Sequence, residues 1–229
     1  MQADNANGPV LTAVDLSRVF GSGDTAVTAL SGISLTVQQG DFLAVTGRSG
    51  SGKTTLLNLL SGLDSPTTGT VHFHGDDLAN LRESDLVEMR RHKIGFVFQS
   101  FGLMPLLSAQ ENVELPLHIG GASWRERRQK ATEALRAVGL GTRARHRPFE
   151  LSGGEQQRVS IARALVTEPE VVFADEPTGE LDTATARSIA ETLGEVAASR
   201  RATVIVATHD LDLAATAQRR LDLVDGMIV

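Results

Sequence analysis

Short apolar runs alternate along this chain with segments of helical periodicity. Runs with the length and composition of β-strands are Leu11–Leu16, Ala26–Val37, Phe42–Val45, Thr70–Phe73, Ile94–Phe98, Val171–Ala174, Thr203–Ala207 and a short pair within Leu221–Val229. Segments with a helical pattern are Thr54–Leu60, Leu81–Arg91, Ser123–Val138, Thr183–Ala198 and Asp210–Gln218. Strands that alternate with helices are typical of a parallel sheet, so the pattern predicts an α/β fold.

The middle of the chain departs from this alternation. Between Ser108 and Arg147 the pattern is helical and contains no strand signal. Trp124 is predicted to pack at the start of the helix in Ser123–Val138. We interpret the basic run that follows, Arg143, Arg145 and Arg147, as a solvated face. We expect a disordered tail over residues 1–9 and one domain over residues 10–229, with core segments 10–98 and 151–229 around a helical insert at about 100–150.

The composition limits the classes of function. The chain has 229 residues, a net charge of −6 and no cysteine. This acidity gives no sign of nucleic-acid binding, and without thiolates we expect neither a disulfide framework nor a cysteine metal site. No apolar run approaches the ~18 residues that span a bilayer, and the polar N-terminus lacks the apolar core of a signal peptide. Any membrane role is therefore expected to act through a partner.

A phosphate-binding loop (P-loop) joins the third predicted strand to the first predicted helix. It matches the pattern G-x-x-x-x-G-K-[ST] with Gly47, Arg48, Ser49, Gly50, Ser51, Gly52, Lys53 and Thr54. The glycines permit backbone angles that turn N–H groups toward an anion, and the following helix adds the positive end of its dipole. We expect Lys53 to reach the β- and γ-phosphates of a nucleotide and the Thr54 hydroxyl to ligate Mg²⁺.

A second candidate phosphate site begins at Ser152. The spacing of Ser152 and Glu155 is that of a capping box, which predicts the start of a helix. Gly153 and Gly154 leave the N–H groups of that helix start free of side chains, as an anion site requires. An ordinary helix cap with a glycine-rich approach is the alternative.

An acid pair follows the predicted strand Val171–Ala174. Asp175, at the carboxyl end of the strand, is suited to hold Mg²⁺ through water, and Glu176 is placed to polarise an attacking water. A purely structural acid pair is the alternative, which the nearby P-loop disfavours.

Together these motifs resemble those of the nucleotide-binding subunits of ATP-binding cassette (ABC) transporters. The P-loop, Gln99, the sequence LSGGEQQR from Leu151, the acid pair and His209 agree with that family in order and spacing, and the resemblance covers about Leu11 to Val229. It implies an α/β fold: a P-loop NTPase core with a mostly parallel sheet, an N-terminal antiparallel β part and an inserted α-helical subdomain. It also implies hydrolysis of ATP with Mg²⁺ as cofactor.

The resemblance implies how ATP would be bound. Gly47 to Thr55 would wrap the triphosphate, and Phe20 would stack on the adenine. The signature residues Ser152, Gly153, Gly154 and Glu155 would meet the γ-phosphate of ATP held by a second subunit.

The resemblance also implies the catalytic roles. Glu176 would be the catalytic base, His209 would hold the γ-phosphate, Lys53 would contact the phosphates, and Gln99 would touch both Mg²⁺ and the attacking water. The metal ligands would be Thr54, Gln99 and Asp175, and Asp182 would lie in the D-loop at the dimer interface. The chain departs from the family at Glu180, where small or amide residues are usual, so a carboxylate adds negative charge near that interface.

A narrower resemblance connects the chain with the group of macrolide exporters, lipoprotein-release systems and cell-division proteins. It rests on Val97–Gln99, Glu111–Pro116 and Ala174–Gly179. It implies a head-to-tail homodimer that encloses two Mg-ATP and drives an integral membrane permease subunit, peripherally bound on the cytoplasmic face of the cell membrane. It does not specify the cargo, nor whether the subunit drives export or mechanical work on the envelope.

Three other functions fit parts of the sequence. A soluble ABC ATPase that acts on nucleic acid or ribosomes usually has two cassettes or a long coiled-coil insertion, whereas this chain has one cassette and a short insert. A regulatory module that senses ATP without turnover would not need the complete set of Lys53, Gln99, Asp175, Glu176 and His209. A small-molecule P-loop kinase has no use for the LSGGE sequence.

Overall fold

Two β-sheets and seven α-helices form the part of the chain that the computed structural model describes, residues 8–199 and 202–229. Most of the predicted tail, residues 1–7, lies outside the described residues. None of the helices in the described part combines the length with the apolar character that crossing a bilayer requires.

The elements follow the predicted alternation. The strands are β1 (Leu11–Phe20), β2 (Val27–Val37), β3 (Phe42–Thr46), β4 (Thr68–Phe73), β5 (Asp76–Asp77), β6 (Ile94–Val97), β7 (Val171–Asp175), β8 (Thr203–Thr208), β9 (Arg219–Val224) and β10 (Met227–Ile228). The helices are α1 (Lys53–Leu60), α2 (Glu83–Lys93), α3 (Ala109–Ile119), α4 (Trp124–Ala137), α5 (Gly153–Leu165), α6 (Thr183–Ala198) and α7 (Leu211–Thr216).

The central sheet brings the carboxyl ends of three parallel strands to one level. Its strand order is β10-β9-β3-β8-β7-β6, and all neighbours are parallel except the hairpin of β9 and β10. The register pairs Thr46 with Thr208 and Asp175 with Ala207. The loops that follow β3, β7 and β8 therefore start from the same edge of the sheet, where ligands bind in open α/β sheets.

Both faces of the central sheet are buried. Leu43 and Val45 of β3 face a cluster that includes Leu56 of α1 and apolar residues of the antiparallel sheet β2-β1-β4-β5. Phe42 and Ala44 face the opposite cluster, to which helices α3 to α7 contribute. This division follows from the alternation of side chains along a strand, and it explains why β3 is apolar without interruption.

The helical segment between β6 and β7 is fastened by local hydrogen bonds. Ser108 caps α3 in a capping box with Glu111. The buried Asn112 donates from its amide to the carbonyls of Met104, Leu107 and Ser108, and its oxygen accepts from the Met104 N–H. One side chain thus satisfies the backbone of the loop that leads into α3.

The observed fold confirms the predicted α/β class with its parallel sheet, antiparallel N-terminal part and helical insert. The packing role predicted for Trp124 is wrong, because its side chain is 63% exposed and lies beside the Arg128 guanidinium. Burial in α4 begins at Ala131, so the first turn of this helix extends past the elements that it packs against. The basic residues Arg143, Arg145 and Arg147 are exposed, as expected for a solvated face.

Alanine substitutions at two glycines can test how closely the sheet packs against α5. A Cβ on Gly95 in β6 would lie 2.4 Å from the Ala164 carbonyl oxygen of α5, whereas one on Gly194 in α6 would meet no atom within 4 Å. We expect Gly95→Ala to lower the free energy of unfolding by about 1–3 kcal/mol. The matched control Gly194→Ala should raise it by about 0.5–1 kcal/mol. Urea unfolding followed by circular dichroism measures both, and similar effects of the two substitutions would contradict the packing.

Candidate functional site

The shape of the P-loop depends on its glycines. Gly52 precedes α1 with a φ of 103°, a left-handed value that favours glycine. A Cβ on Gly52 would lie 2.5 Å from the Ala29 carbonyl oxygen, and one on Gly47 would lie 2.4 Å from that of Leu223. The loop therefore packs closely against β2 and β9 and leads directly into the amino end of α1, which is the geometry of an anion site.

Lys53 occupies the centre of the site. Its side chain is nearly buried, and its Nζ donates to the carbonyl oxygens of Gly47 at 2.9 Å and Arg48 at 3.2 Å. The same Nζ lies 3.2 Å from Glu176 Oε1. A buried ammonium needs such partners because its removal from water is costly.

The other P-loop residues differ in exposure. Arg48, Ser49, Gly50 and Thr54 are exposed, Thr55 is half-buried, and Ser51 is buried with no hydrogen-bond partner for its hydroxyl among the described residues. The exposed members line the outer side of the loop, where a phosphate chain can approach.

Thr54 and Asp175 are hydrogen-bonded across the site. Thr54 Oγ1 donates to Asp175 Oδ2 at 2.8 Å. The second carboxylate oxygen, Oδ1, is buried and has no hydrogen-bond partner within the described part of the chain. Burial raises the pKa of Asp175, and the neighbouring charge of Glu176 raises it further, while the hydrogen bond from Thr54 and the charge of Lys53 act in the opposite direction.

This pair fits a hard cation. Mg²⁺ prefers carboxylate, hydroxyl and water oxygens, and the unpartnered Oδ1 of Asp175 next to the Thr54 hydroxyl provides such donors. No group of three His, Cys, Asp or Glu side chains in residues 8–199 and 202–229 could hold a metal by itself. Any Mg²⁺ here would therefore need ligands from a nucleotide and water as well.

Glu176 connects three loops. Its backbone N–H donates to Ala207 of β8 at 2.8 Å, and its φ is 46°, a left-handed value that is uncommon for residues other than glycine. Its Oε2 lies 2.9 Å from His209 Nδ1 and accepts from the His209 N–H at 3.2 Å. With Oε1 directed to Lys53, this one carboxylate joins the P-loop to the loop after β8.

Gln99 lies near this group, and Phe20 contacts a different partner. A Cβ on Gly179 would lie 3.3 Å from Gln99 Nε2, so the exposed Gln99 side chain borders the loop that follows the acid pair.

The Phe20 ring is 43% exposed and has the Arg18 guanidinium 4.5 Å from its centroid. Its stacking on adenine stays a prediction.

The signature segment is a capped helix start, as its spacing predicts. Ser152 Oγ accepts from the Glu155 N–H at 3.3 Å, and Glu155 Oε2 accepts from the Ser152 N–H at 2.9 Å. The hydrogen bond from the Ser152 backbone is the main reason why the pKa of Glu155 is lowered. Among the described residues, no hydrogen bond or ion pair joins Ser152–Glu155 to the P-loop.

The signature instead packs on the start of α6. A Cβ on Gly154 would lie 2.2 Å from Thr185 Cγ2, so any larger residue there requires the Thr185 side chain to move. Asp182 caps α6 by accepting from the Ala184 and Thr185 N–H groups at 3.1 Å and from Thr185 Oγ1 at 2.6 Å. Glu180 is exposed in the loop before this cap.

Sequence reasoning missed two residues that hold these loops together. Buried Gln157 donates to the carbonyl oxygens of Pro177 at 2.6 Å and Phe98 at 3.4 Å. Helical periodicity could have found it, because Gly154, Gln157 and Ile161 share the buried face of α5. Thr178 Oγ1 donates to Asp210 Oδ2 at 3.0 Å, and no local pattern signals this contact.

The chain is similar to proteins of one family. The family described as ABC transporter matches residues 30–179. The macrolide export ATP-binding/permease protein MacB of Hyphomonas neptunium is 47% identical over 96% of this chain and 34% of its own length. The lipoprotein-releasing system ATP-binding protein LolD of Geobacter metallireducens is 47% identical over 96% of this chain and 98% of its own length. The chain thus spans about a third of the former and nearly all of the latter.

Solved structures resemble the fold closely. A dimeric structure of an ATP-binding cassette in a post-hydrolysis state with ADP and Pi has a TM-score of 0.87 and 41% identity, and covers 95% of this chain and 96% of that chain. The structure of cbiO1 from Clostridium perfringens, part of the transporter complex cbiONQ, has a TM-score of 0.86 and 27% identity, and covers 97% of this chain and 87% of that chain.

The raised pKa of Asp175 predicts how stability depends on pH. The folded chain binds a proton at Asp175 more tightly than the unfolded chain, so this residue lowers stability at neutral pH, and the loss is recovered as pH falls through the raised pKa. We expect Asp175→Asn to raise the melting temperature at pH 7 without nucleotide, by a margin that shrinks in acid. Thermal melts across pH measure this.

Asp222 is the matched control, because hydrogen bonds from Thr46 and Arg220 lower its pKa. Asp222→Asn should lower the melting temperature at pH 7. A lower melting temperature for Asp175→Asn as well would contradict the assigned cost of the buried carboxylate.

Proposed function

This chain belongs to the ABC transporter family and is an ABC ATPase, and we propose from that premise that it works as one half of a homodimer that drives a membrane subunit. The position of Glu176 carries the proposal. Its two carboxylate oxygens contact Lys53 and His209, beside the hydrogen-bonded pair of Thr54 and Asp175. An ammonium group, a carboxylate that could act as a base and two oxygen donors suited to a metal ion therefore meet at one edge of the sheet.

The P-loop and Lys53 would bind the triphosphate. Phosphate oxygens would compete for the Lys53 ammonium with the carbonyls of Gly47 and Arg48 and with Glu176, and a charge-assisted bond to phosphate is stronger than the bonds to neutral carbonyls that it replaces. In phosphoryl transfer the protein acts mainly by positioning groups and neutralising charge, which these amides and this ammonium can do.

Glu176 would act as the general base. Once Lys53 pairs with phosphate, Glu176 Oε1 is released to accept a proton from the attacking water, while His209 stays at Oε2 and orients the carboxylate. His209 would also hold the γ-phosphate, and Gln99, next to Gly179, would position the water. ATP would also be bound by the remaining P-loop residues, by Thr55 and by Phe20.

Mg²⁺ would be held by Thr54, Asp175 and Gln99, and it would neutralise charge on the phosphates. The hydrogen bond from Thr54 orients the Asp175 carboxylate toward the P-loop, so its donors are arranged before the cation arrives.

Two copies would be needed for a complete site. The signature of one copy, Ser152–Glu155, would bind the γ-phosphate of ATP on the P-loop of the other, with Asp182 at the interface between them. Two observations support this arrangement: the capped start of α5, where Ser152 is exposed, has no hydrogen bond or ion pair to its own P-loop among the described residues, and a relative of 41% identity was solved as a dimer. ATP would then bridge the copies, and hydrolysis would let them separate.

A membrane subunit would dock in the groove that follows Gln99. The groove has a volume of about 420 Å³ and lies between β6, α2, α3 and α5. Its lining includes the exposed Phe98 and Ile119, together with Leu115 and Arg163. A groove with both apolar residues and three arginines, Arg90, Arg91 and Arg163, suits a short amphipathic segment. The relatives' names favour a membrane system for export or lipoprotein release, so we place the chain on the cytoplasmic face of the cell membrane.

The role of Glu176 can be tested by an isosteric change. Glu176→Gln should retain ATP binding and lower kcat by about 10²- to 10⁴-fold, because the amide keeps the shape but cannot accept the proton. The exposed Glu195→Gln on α6 is the matched control and should leave kcat unchanged. Phosphate release at saturating Mg-ATP and equilibrium binding of a fluorescent ATP analogue measure the two quantities. Near-normal turnover of Glu176→Gln would contradict the assignment.

The composite site can be tested by mixing two inactive variants. Lys53→Ala removes the phosphate contact, and Ser152→Arg blocks the signature, so each alone should lose turnover while Ser152→Arg still binds ATP. In a mixed dimer, one site combines both defects and the other combines the intact P-loop of one copy with the intact signature of the other.

Equal amounts of the two variants should therefore regain about a quarter of wild-type ATPase activity, since half of the dimers are mixed and each has one intact site. A sample of each variant at the same total concentration is the control. If the mixture stays inactive although a dimer forms, the site does not combine residues of two copies.

A further inference from the structure

An exposed aromatic and basic surface lies at the tip of the helical segment. Ile119 ends α3 and is 57% exposed, and Trp124 begins α4 and is 63% exposed. The turn between them is closed by hydrogen bonds from Gly121 to His118 and from Ala122 to Leu117, so both apolar side chains lie at the same end of the helix pair. With the neighbouring Arg125 and Arg128 they form what we call the tip surface.

The charge at the tip surface is free for a partner. Arg125 and Arg128 are exposed and form no ion pair with the residues that the structure describes. The nearby acid Glu126 is paired with Lys130 at 3.6 Å, further along the helix. The Arg128 guanidinium lies over the Trp124 ring, 5.6 Å from its centre, and this cation–π contact orients the indole. The tip therefore combines an oriented indole with two unpaired guanidinium groups.

The fold does not need these side chains for packing. The apolar face of α4 is already used by Ala131 and Leu135, which are buried against the core. The exposed indole leaves a large apolar area in contact with water, and burying this area against a partner would be favourable.

We propose that the tip surface docks on the headgroup layer of a bilayer that contains anionic lipid. Trp prefers the interface between hydrocarbon and water because its ring is apolar and its N–H is polar. Guanidinium groups bind phosphate in a forked geometry, so Arg125 and Arg128 suit phospholipid headgroups. Because the whole chain carries a net charge of −6, attraction to an anionic surface must come from a local patch such as this one.

The position of the tip agrees with this partner. Ile119 belongs to the tip surface and also lines the groove in which we propose that a membrane subunit docks. The two surfaces are therefore continuous, and a chain seated on a membrane subunit would bring Trp124 toward the bilayer. The inference goes beyond the proposed function, and its test requires neither ATP nor that subunit.

Trp124 is the only tryptophan of the chain, so its fluorescence reports on the tip surface alone. We expect its emission to shift to shorter wavelength when the purified chain meets vesicles of equal parts phosphatidylcholine and phosphatidylglycerol. Bromine-labelled acyl chains in those vesicles should quench it. Vesicles of phosphatidylcholine alone, or anionic vesicles in high salt, should give little change.

Two matched double variants isolate the charge at the tip. Arg125→Gln/Arg128→Gln should weaken vesicle binding by about 30-fold, which is about fivefold for each arginine near the surface. Arg145→Gln/Arg187→Gln removes the same charge from two exposed arginines elsewhere in the chain that form no ion pair with the described residues, and should change binding by less than about twofold. Titration of the Trp124 emission with vesicles measures all three proteins.

Three results would overturn the proposal. The first is an emission unchanged by anionic vesicles at low salt. The second is equal weakening by the two double variants, which would show attraction without a docking surface. The third is an emission shift caused by RNA or by a second copy of the chain but not by vesicles, because a different partner would then cover the tip.

Discussion

The common level at which three parallel strands end is the constraint on which the rest of the structure depends. β3 leads into the P-loop, β7 ends at Asp175, and β8 leads to His209. Ladder hydrogen bonds hold these ends in register, so side chains far apart in the sequence meet within hydrogen-bonding distance. A slip of β7 by one residue would exchange its two faces and turn the acid pair away from Lys53.

This edge of the sheet concentrates charge that is costly to bury. Lys53 is 6% exposed and is compensated by two carbonyls and one carboxylate. Asp175 is compensated less, since one of its oxygens has no hydrogen-bond partner in the described part of the chain and its pKa is raised by burial. The groups of this site are in place before a ligand binds, and the charge buried there lowers the stability of the fold. Such a loss of stability is common at functional sites.

The helix α5 links the candidate site to the surfaces of the helical segment. It begins at the signature, and its buried Gln157 holds the loops that carry Phe98 and Pro177. Further along, Arg163 donates to the carbonyls of Phe101 and Gly102, just after Gln99, and its burial lowers its pKa. A displacement of the signature by bound ATP would therefore be passed through one rigid helix to the loop beside the proposed docking groove.

The sequence by itself determined what depends on local signals. It specified the apolar runs that form strands, the glycine-rich P-loop, the capped start of α5 at Ser152 and the acids at the end of β7, because each follows from a few adjacent residues. Only the tertiary structure decided the contacts of Glu176 with Lys53 and His209, the hydrogen-bond partners of Gln157 and the exposure of Trp124. These depend on strand register and on where one element ends against another. Apolar periodicity indicates which face of α4 can be buried. The length of the neighbouring helices decides how many residues of that face are buried.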